Sequence, residues 1–266
     1  MKEEILDSLH TLERVHQIRI LYACEAGSRA YGLASESSDY DVRFIYIAHP
    51  EWYLSIDQKR DVIEKPLHNQ IDLSGWELTK ALQLFRKSNP SMLEWLQSSI
   101  IYQQDEEFTT QLFDLQPNVF SVKPVMYHYF HMAKRNYKDI TNKETVTVKH
   151  YLNVLRPLLA CIWMKQYDSM PPLQFSRMVE DLNLPANLRL NIERIKEMKI
   201  EASEKEQVGP QPRLQRYMEE QLTFIEEYVE GVTPNDTAIT GELDELFRRV
   251  LFQTWSSYFH FQNNSL

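Results

Sequence analysis

Gly27-Ser28-Arg29-Ala30-Tyr31-Gly32, a short polar loop, and then Ser38-Asp39-Tyr40-Asp41-Val42-Arg43 form the stretch that decides how this chain folds. An apolar, strand-like run precedes it at residues 18–23 and another follows at 42–48. Asp39 and Asp41 are two apart, and in an extended strand such residues point to the same face. Carboxylates held side by side repel, and one takes up a proton unless a cation sits between them. Hard oxygen donors of this kind suit Mg²⁺, which is held by one or two carboxylates plus substrate phosphates. Gly27 lets the backbone approach a ligand closely and adopt positive φ. Ser28 stands where a strand hands over to a helix, with backbone N–H groups and a positive dipole end facing an anion. Arg43 follows Asp41 by two and shares the carboxylate face. Taken singly, Gly-Ser is a turn and Asp-x-Asp a solvated hairpin. Together, with strands on both sides and the matching arginine, they read as a triphosphate cradle opposite a metal-binding pair.

Gly27-Ser28, ten intervening residues and Asp39-Tyr40-Asp41 within apolar strands resemble the signature of the DNA polymerase β-type nucleotidyltransferase superfamily. The fuller strings at 25–32 and 38–46 resemble the YcgL-like or RlaP family of predicted nucleotidyltransferases, proposed to act in RNA repair. The resemblance continues at 71–78, 88–90, 149–151 and 155–158, and so covers roughly residues 18 to 165. It implies an α+β protein: a small mixed-sheet, polymerase β-like palm followed by an all-helical domain. It also implies a third catalytic carboxylate on a strand beside the Asp-x-Asp strand. Asp72, between Ile71 and Leu73, best fits that place, because a charge in a strand between large apolar residues is costly unless used. Asp61 is the reserve and Glu77 a weaker candidate. Related enzymes hold the triphosphate with basic residues of the helical domain, an implication carried to Lys149 and then to Arg156.

Composition narrows the class. Across 266 residues, 43% apolar and 25% charged content is ordinary for a soluble globular protein. No run approaches the ~20 apolar residues of a membrane span, and the start lacks a signal-peptide core. These features fit a cytoplasmic protein. Cys24 and Cys161 lie in apolar segments and read as small core residues rather than a disulfide or metal pair. His128, His131 and His150 lack partners at zinc-ligand spacing. The net charge of −9 argues against a broad nucleic-acid footprint. Residues 123–165 differ, with eight basic side chains, Lys143 included, against Asp139 and Glu144.

Ile5, Leu9, Leu12 and Val15 mark an amphipathic helix at 3–16. Strands are expected at 60–64 and 70–73, joined by a turn around Pro66. Helices follow at 76–87 and 90–96, then an edge strand at 100–102 and a helix at 106–115. Gln116-Pro117-Asn118 marks the boundary, so the expected domains are 1–117 (palm) and 118–266 (helical). His131, Lys134, Arg135 and Lys138 share one helix face, and Lys149, Asn153 and Arg156 another. Such faces serve equally as solvated surface. Pro157 should kink or restart its helix, and Leu158, Leu159, Ile162 and Trp163 should enter the core. Residues 201–212 read as the most mobile loop, and 263–265 as a fraying tail.

The expected reaction is nucleotidyl transfer from an NTP to an acceptor hydroxyl, releasing pyrophosphate. Asp39 and Asp41 would bridge two Mg²⁺ ions, with Mn²⁺ as substitute. Asp72 would hold the metal that lowers the acceptor's pKa. Gly27 and Ser28 would position the phosphates, with Arg43 and Lys149 offsetting charge on the leaving group. The family's proposed role and the basic region 123–165 suggest an RNA 3′ end as acceptor. A protein hydroxyl is the rival, since small superfamily members adenylylate partner toxins, and a non-catalytic nucleotide-binding regulator is the reading from another class. No membrane partner is expected.

Overall fold

The computed structural model describes residues 1–141, 146–201, 207–209, 211–233 and 238–263. Lys143 and Glu144, residues 202–206 and 210 of the expected loop, and Asn264 and Ser265 of the tail lie outside the described residues. In chain order the elements begin with α1 (Lys2–His16), β1 (Ile18–Ala26), α2 (Gly27–Ala30), β2 (Tyr40–Ala48), α3 (Pro50–Tyr53) and β3 (Val62–His68). Next come β4 (Ile71–Glu77), α4 (Leu78–Arg86), α5 (Pro90–Leu96), β5 (Ile101–Gln104) and α6 (Glu106–Val119). Helices complete it: α7 (Val122–Thr141), α8 (Val148–Tyr167), α9 (Phe175–Asp181), α10 (Ala186–Glu201), α11 (Pro212–Gly231), α12 (Thr240–Thr254) and α13 (Ser256–Asn263). The fold is α+β. Two units divide the chain: a sheet unit of Met1–Gly27, Asp39–Val119 and Thr237–Leu266, and a helical unit of Ser28–Ser38 and Phe120–Asp236.

In the sheet unit five strands lie in the order β3-β4-β2-β1-β5. Only β2 and β4 run parallel; the other neighbours are antiparallel. β1 and β2 are apolar almost throughout because both of their faces are covered. Ile5, Leu9 and Leu12 of α1 cluster with Ile18, Ile20, Val42, Phe44, Ile71 and Leu73. Val15, expected on that stripe, is 68% exposed, since Gln17 ends the helix in a left-handed cap. α5 is tied to β1 through Tyr22, whose hydroxyl donates to the Trp95 carbonyl at 2.7 Å, and Trp95 stacks on Trp76 of β4. Gly75 lies beside Phe44 on the neighbouring strand, where an added β-carbon would stand 2.1 Å from the ring. Burial of a side chain such as Phe44 is worth about 1.5–3 kcal/mol, which any larger residue at 75 would forfeit by expelling the ring.

Three of the boundaries that differ from the sequence expectation do so for a local reason. β3 continues through Pro66, and the turn falls at Asn69 and Gln70, with φ of 50° and 64°. Two adjacent left-handed residues make the hairpin turn that matches strand twist. The proline is tolerated because β3 is an edge strand whose register shifts between Lys65 and His68. β4 extends to Glu77, and α4 starts only at Leu78, because the Glu77 side chain caps it by accepting from the Thr79 N–H at 2.8 Å. α6 runs past Pro117 to Val119; a proline this near the end gives up one backbone donor in the last turn.

In the helical unit α7 pairs with α8, and α11 packs on both. Val125, Met126, Tyr129 and Phe130 are buried, as are Tyr151, Leu152, Leu155, Leu158 and Leu159. Pro157 lies inside an unbroken α8. Proline leaves the carbonyl four residues earlier without its helical donor, and that carbonyl, of Asn153, accepts from the Asn136 side chain of α7 at 2.8 Å. Ile162 and Trp163 are half-buried rather than core, and the Trp163 indole donates to Ser169. Both cysteines are buried free thiols, and burial pushes Cys24 up to about 12. Among the described residues no helix is long and apolar enough to cross a membrane.

Candidate active site

The parallel register of β2 and β4 sets Asp41 directly against Asp72. Parallel neighbours at one register present their side chains on the same face, so the two carboxylates stand together. The cation such a pair requires is Arg43, two residues along β2. Its Nη2 donates to Asp41 Oδ1 at 2.9 Å and to Asp72 Oδ2 at 2.8 Å. Its Nη1 donates to the carbonyls of Val42 and Asp72, both at 3.2 Å. The three side chains are 20% (Arg43), 29% (Asp41) and 38% (Asp72) exposed, so water screens the pairs and their net stabilisation is at most about 1 kcal/mol. Their value is in placement.

Asp41 is held from two further sides. Gly27 has a φ of +59°, and a β-carbon there would meet Asp41 Oδ2 at 2.0 Å. On the neighbouring strand β1, Glu25 is completely buried. Its Oε1 accepts from the Asp41 N–H at 2.8 Å, and its Oε2 accepts from the Tyr102 hydroxyl. The sequence reading gave Glu25 no role. The signal is in the sequence, because a carboxylate following the apolar run 20–24 is as costly as the one that singles out Asp72.

Asp39 precedes β2 and is exposed, and the carboxylate that strand register sets beside Asp41 is that of Asp72. Among the described residues no three His, Cys, Asp or Glu side chains converge as a metal site. Asp61 pairs with Lys80 at 3.0 Å, and its carbonyl accepts from the Glu77 N–H. Glu77 lies at the far end of β4 from Asp72, buried, accepting from the Tyr53 hydroxyl at 2.5 Å. Burial pushes its carboxyl above the ordinary range, and its hydrogen bonds offset that in part. A cavity of about 510 Å³, lined by Trp52, Tyr53, Asp61, Glu77, Lys80 and Gln83 among others, opens there.

Ser28, Lys149 and Arg156 belong to the helical unit. Ser28 is half-buried at the start of α2, and its carbonyl accepts from the Leu33 N–H at 2.8 Å. Arg29 closes the loop by donating to the Ser38 carbonyl at 2.7 Å. Arg156 stacks its guanidinium on Tyr31, 3.9 Å from the ring centroid, and Lys149 is exposed in the first turn of α8. On the expected basic face of α7, Arg135 and Lys138 are exposed, while Lys134 is ion-paired to Glu226 and lies over Phe130.

A family model described as "RlaP: RNA repair pathway DNA polymerase beta family" matches residues 1–249. The chain belongs to this family. A relative of this RlaP chain in Bacillus subtilis (strain 168), described as "Uncharacterized protein YcgL", is 40% identical over 257 residues, spanning 96% of this chain and 98% of that protein. A crystal structure of a nucleotidyltransferase-like protein from Exiguobacterium sibiricum 255-15 is similar at 14% identity and a TM-score of 0.32, over 84% of this chain and 74% of that one.

Polymerase β-like nucleotidyltransferases usually use divalent metals, and the donor chemistry of this RlaP site fits one. Asp41 and Asp72 supply two hard carboxylates from adjacent strands, the number with which Mg²⁺ is commonly held while phosphate and water complete its shell. Gly27 keeps one edge of Asp41 clear of side chain.

Proposed function

We propose that this RlaP chain transfers an NMP from an NTP to an acceptor hydroxyl, with an RNA 3′ end as the acceptor. The observation that carries the reading is the register of Asp41 against Asp72, with Gly27 pressed on Asp41. The acceptor oxygen bonds to the α-phosphorus, the bond from that phosphorus to the bridging oxygen breaks, and pyrophosphate leaves. Such chemistry is mostly positioning and charge neutralisation. Asp39, Asp41 and Asp72 would hold two Mg²⁺ ions, or Mn²⁺ in their place, which when bound lower the acceptor's pKa and neutralise phosphate charge. Arg43 sets the spacing of Asp41 and Asp72 and puts a cation beside the phosphates. Gly27 and Ser28 position the β,γ-phosphates. Lys149 and Arg156 are assigned to the triphosphate on the family resemblance alone. A cytoplasmic setting belongs to this reading.

The RNA acceptor draws on the family's description and on the exposed Arg135 and Lys138. A protein hydroxyl is the second reading, favoured by the net charge of −9 and by the engagement of Lys134 with Glu226. A panel of α-labelled NTPs with Mg²⁺, mixed RNA and lysate protein tests all of this. Label entering RNA supports the proposal and identifies the NTP. Label entering protein only supports the second reading, and NTP binding without transfer marks a non-catalytic regulator.

A further inference from the structure

We propose that Glu25 and Tyr102 are positioning residues for Asp41, acting through its backbone; the proposal rests on the nucleotidyltransferase reading above. Asp41 lies at the end of the β1–β2 ladder, opposite Ala26. Its N–H donates to the Glu25 carboxylate at 2.8 Å, a side-chain acceptor where the ladder runs out. A buried carboxylate is a costly way to satisfy one N–H, since water serves a strand end as well. Glu25 is itself fixed on every side. Its N–H donates to the Ile100 carbonyl at 2.9 Å, and its carbonyl accepts from the Ser98 hydroxyl at 2.7 Å. Its second carboxylate oxygen accepts from the Tyr102 hydroxyl of edge strand β5. A chain of contacts therefore runs from β5 through one carboxylate to the backbone of a proposed metal ligand. At 0% exposure Glu25 does not meet the reacting atoms. What it controls is where Asp41 stands, as outer groups orient a metal's ligands.

The test uses the full chain and two readouts: Mn²⁺ affinity of the free protein by electron paramagnetic resonance, and kcat and KM for transfer. Glu25→Ala is expected to weaken Mn²⁺ binding and lower kcat, each by about 10–100-fold, with KM for NTP changed less than about threefold. Glu25→Gln keeps a carbonyl for the Asp41 N–H and is expected to restore most of both. Tyr102→Phe, a gentler change, is expected to weaken Mn²⁺ binding by about tenfold and decides the matter should Glu25→Ala not fold. Wild-type Mn²⁺ affinity and kcat in Tyr102→Phe and in a folded Glu25→Ala would overturn the proposal. So would Glu25→Gln being as impaired as Glu25→Ala. Asp41→Asn separates the two failures. If it loses both readouts while the Glu25 and Tyr102 variants match wild type, only the positioning role falls. If it keeps transfer and Mn²⁺ binding, the nucleotidyltransferase reading falls with it.

Discussion

A β-carbon at position 27 would lie 2.0 Å from Oδ2 of Asp41, and the backbone of Gly27 holds a φ of +59°. Other residues of the chain hold a left-handed φ, but here the contact leaves no room for a side chain. Together the contact and the φ show why the Gly-Ser dipeptide and the Asp-x-Asp segment occur as a unit: the first leaves the space that the second fills.

Gly27→Ala therefore acts on the site as well as on the fold. Left-handed backbone at a non-glycine residue costs about 1–2 kcal/mol. The methyl must also push the Asp41 carboxylate aside, and a 1 Å misplacement is worth roughly 10²-fold in rate. Thermal unfolding should show a modest loss of stability while the transfer assay shows a loss of two or more orders of magnitude.

Asp72→Asn and Asp61→Asn should behave oppositely. Asp72 shares Arg43 with Asp41, whereas Asp61 pairs with Lys80 near the far end of β4. Steady-state kinetics should show Asp72→Asn losing turnover by orders of magnitude with little change in KM for NTP, and Asp61→Asn near wild type. The reverse pattern would move the third carboxylate to Asp61.

Arg135 and Lys138 supply the clearest reading of the acceptor, because Lys134 is already paired. If RNA lies along that face, changing both to Ala removes two phosphate contacts. The log–log salt slope of RNA binding should then flatten by about 1.4 units, at ~0.7 per single-strand contact. The KM for RNA should rise and the KM for NTP stay unchanged. A protein acceptor would leave all of these unaltered.

The local parts of the candidate site are legible in the sequence. Gly27, Asp41 and Arg43 lie within one strand–turn–strand stretch, where spacing alone sets their faces. Asp72 was legible only through the superfamily layout, since no sequence spacing shows which strand adds beside β2. Glu25 is obscured in the sequence because its strand reads as apolar core, and only the Tyr102 hydroxyl and the Asp41 N–H explain its charge. Pro66 drew the expected hairpin turn away from Asn69 and Gln70, because a proline on an edge strand looks in sequence like a turn proline. Nothing in the local sequence shows that the carbonyl freed by Pro157, that of Asn153, is satisfied, because its donor, the Asn136 side chain, comes from another helix. The amphipathic pattern of α12 shows a buried face but not that the face belongs with the sheet unit.

Glu77 makes a prediction about pH. Burial raises its folded carboxyl above the ordinary 4.5. A raised acid contributes stability that is complete below the unfolded value and is lost as pH climbs through the folded one. Denaturant titrations should therefore show wild type losing stability relative to Glu77→Gln as pH rises above 4.5, with the difference levelling off once Glu77 is ionised.

The most direct test of the account is the transfer of α-labelled NTP to an RNA 3′ end by wild type, Asp41→Asn and Asp72→Asn, each verified as folded. Wild type should label RNA in a Mg²⁺-dependent manner, and both variants should fall by orders of magnitude while still binding NTP. Undiminished RNA labelling by folded Asp41→Asn would contradict the claim that the paired carboxylates of β2 and β4 are the active site.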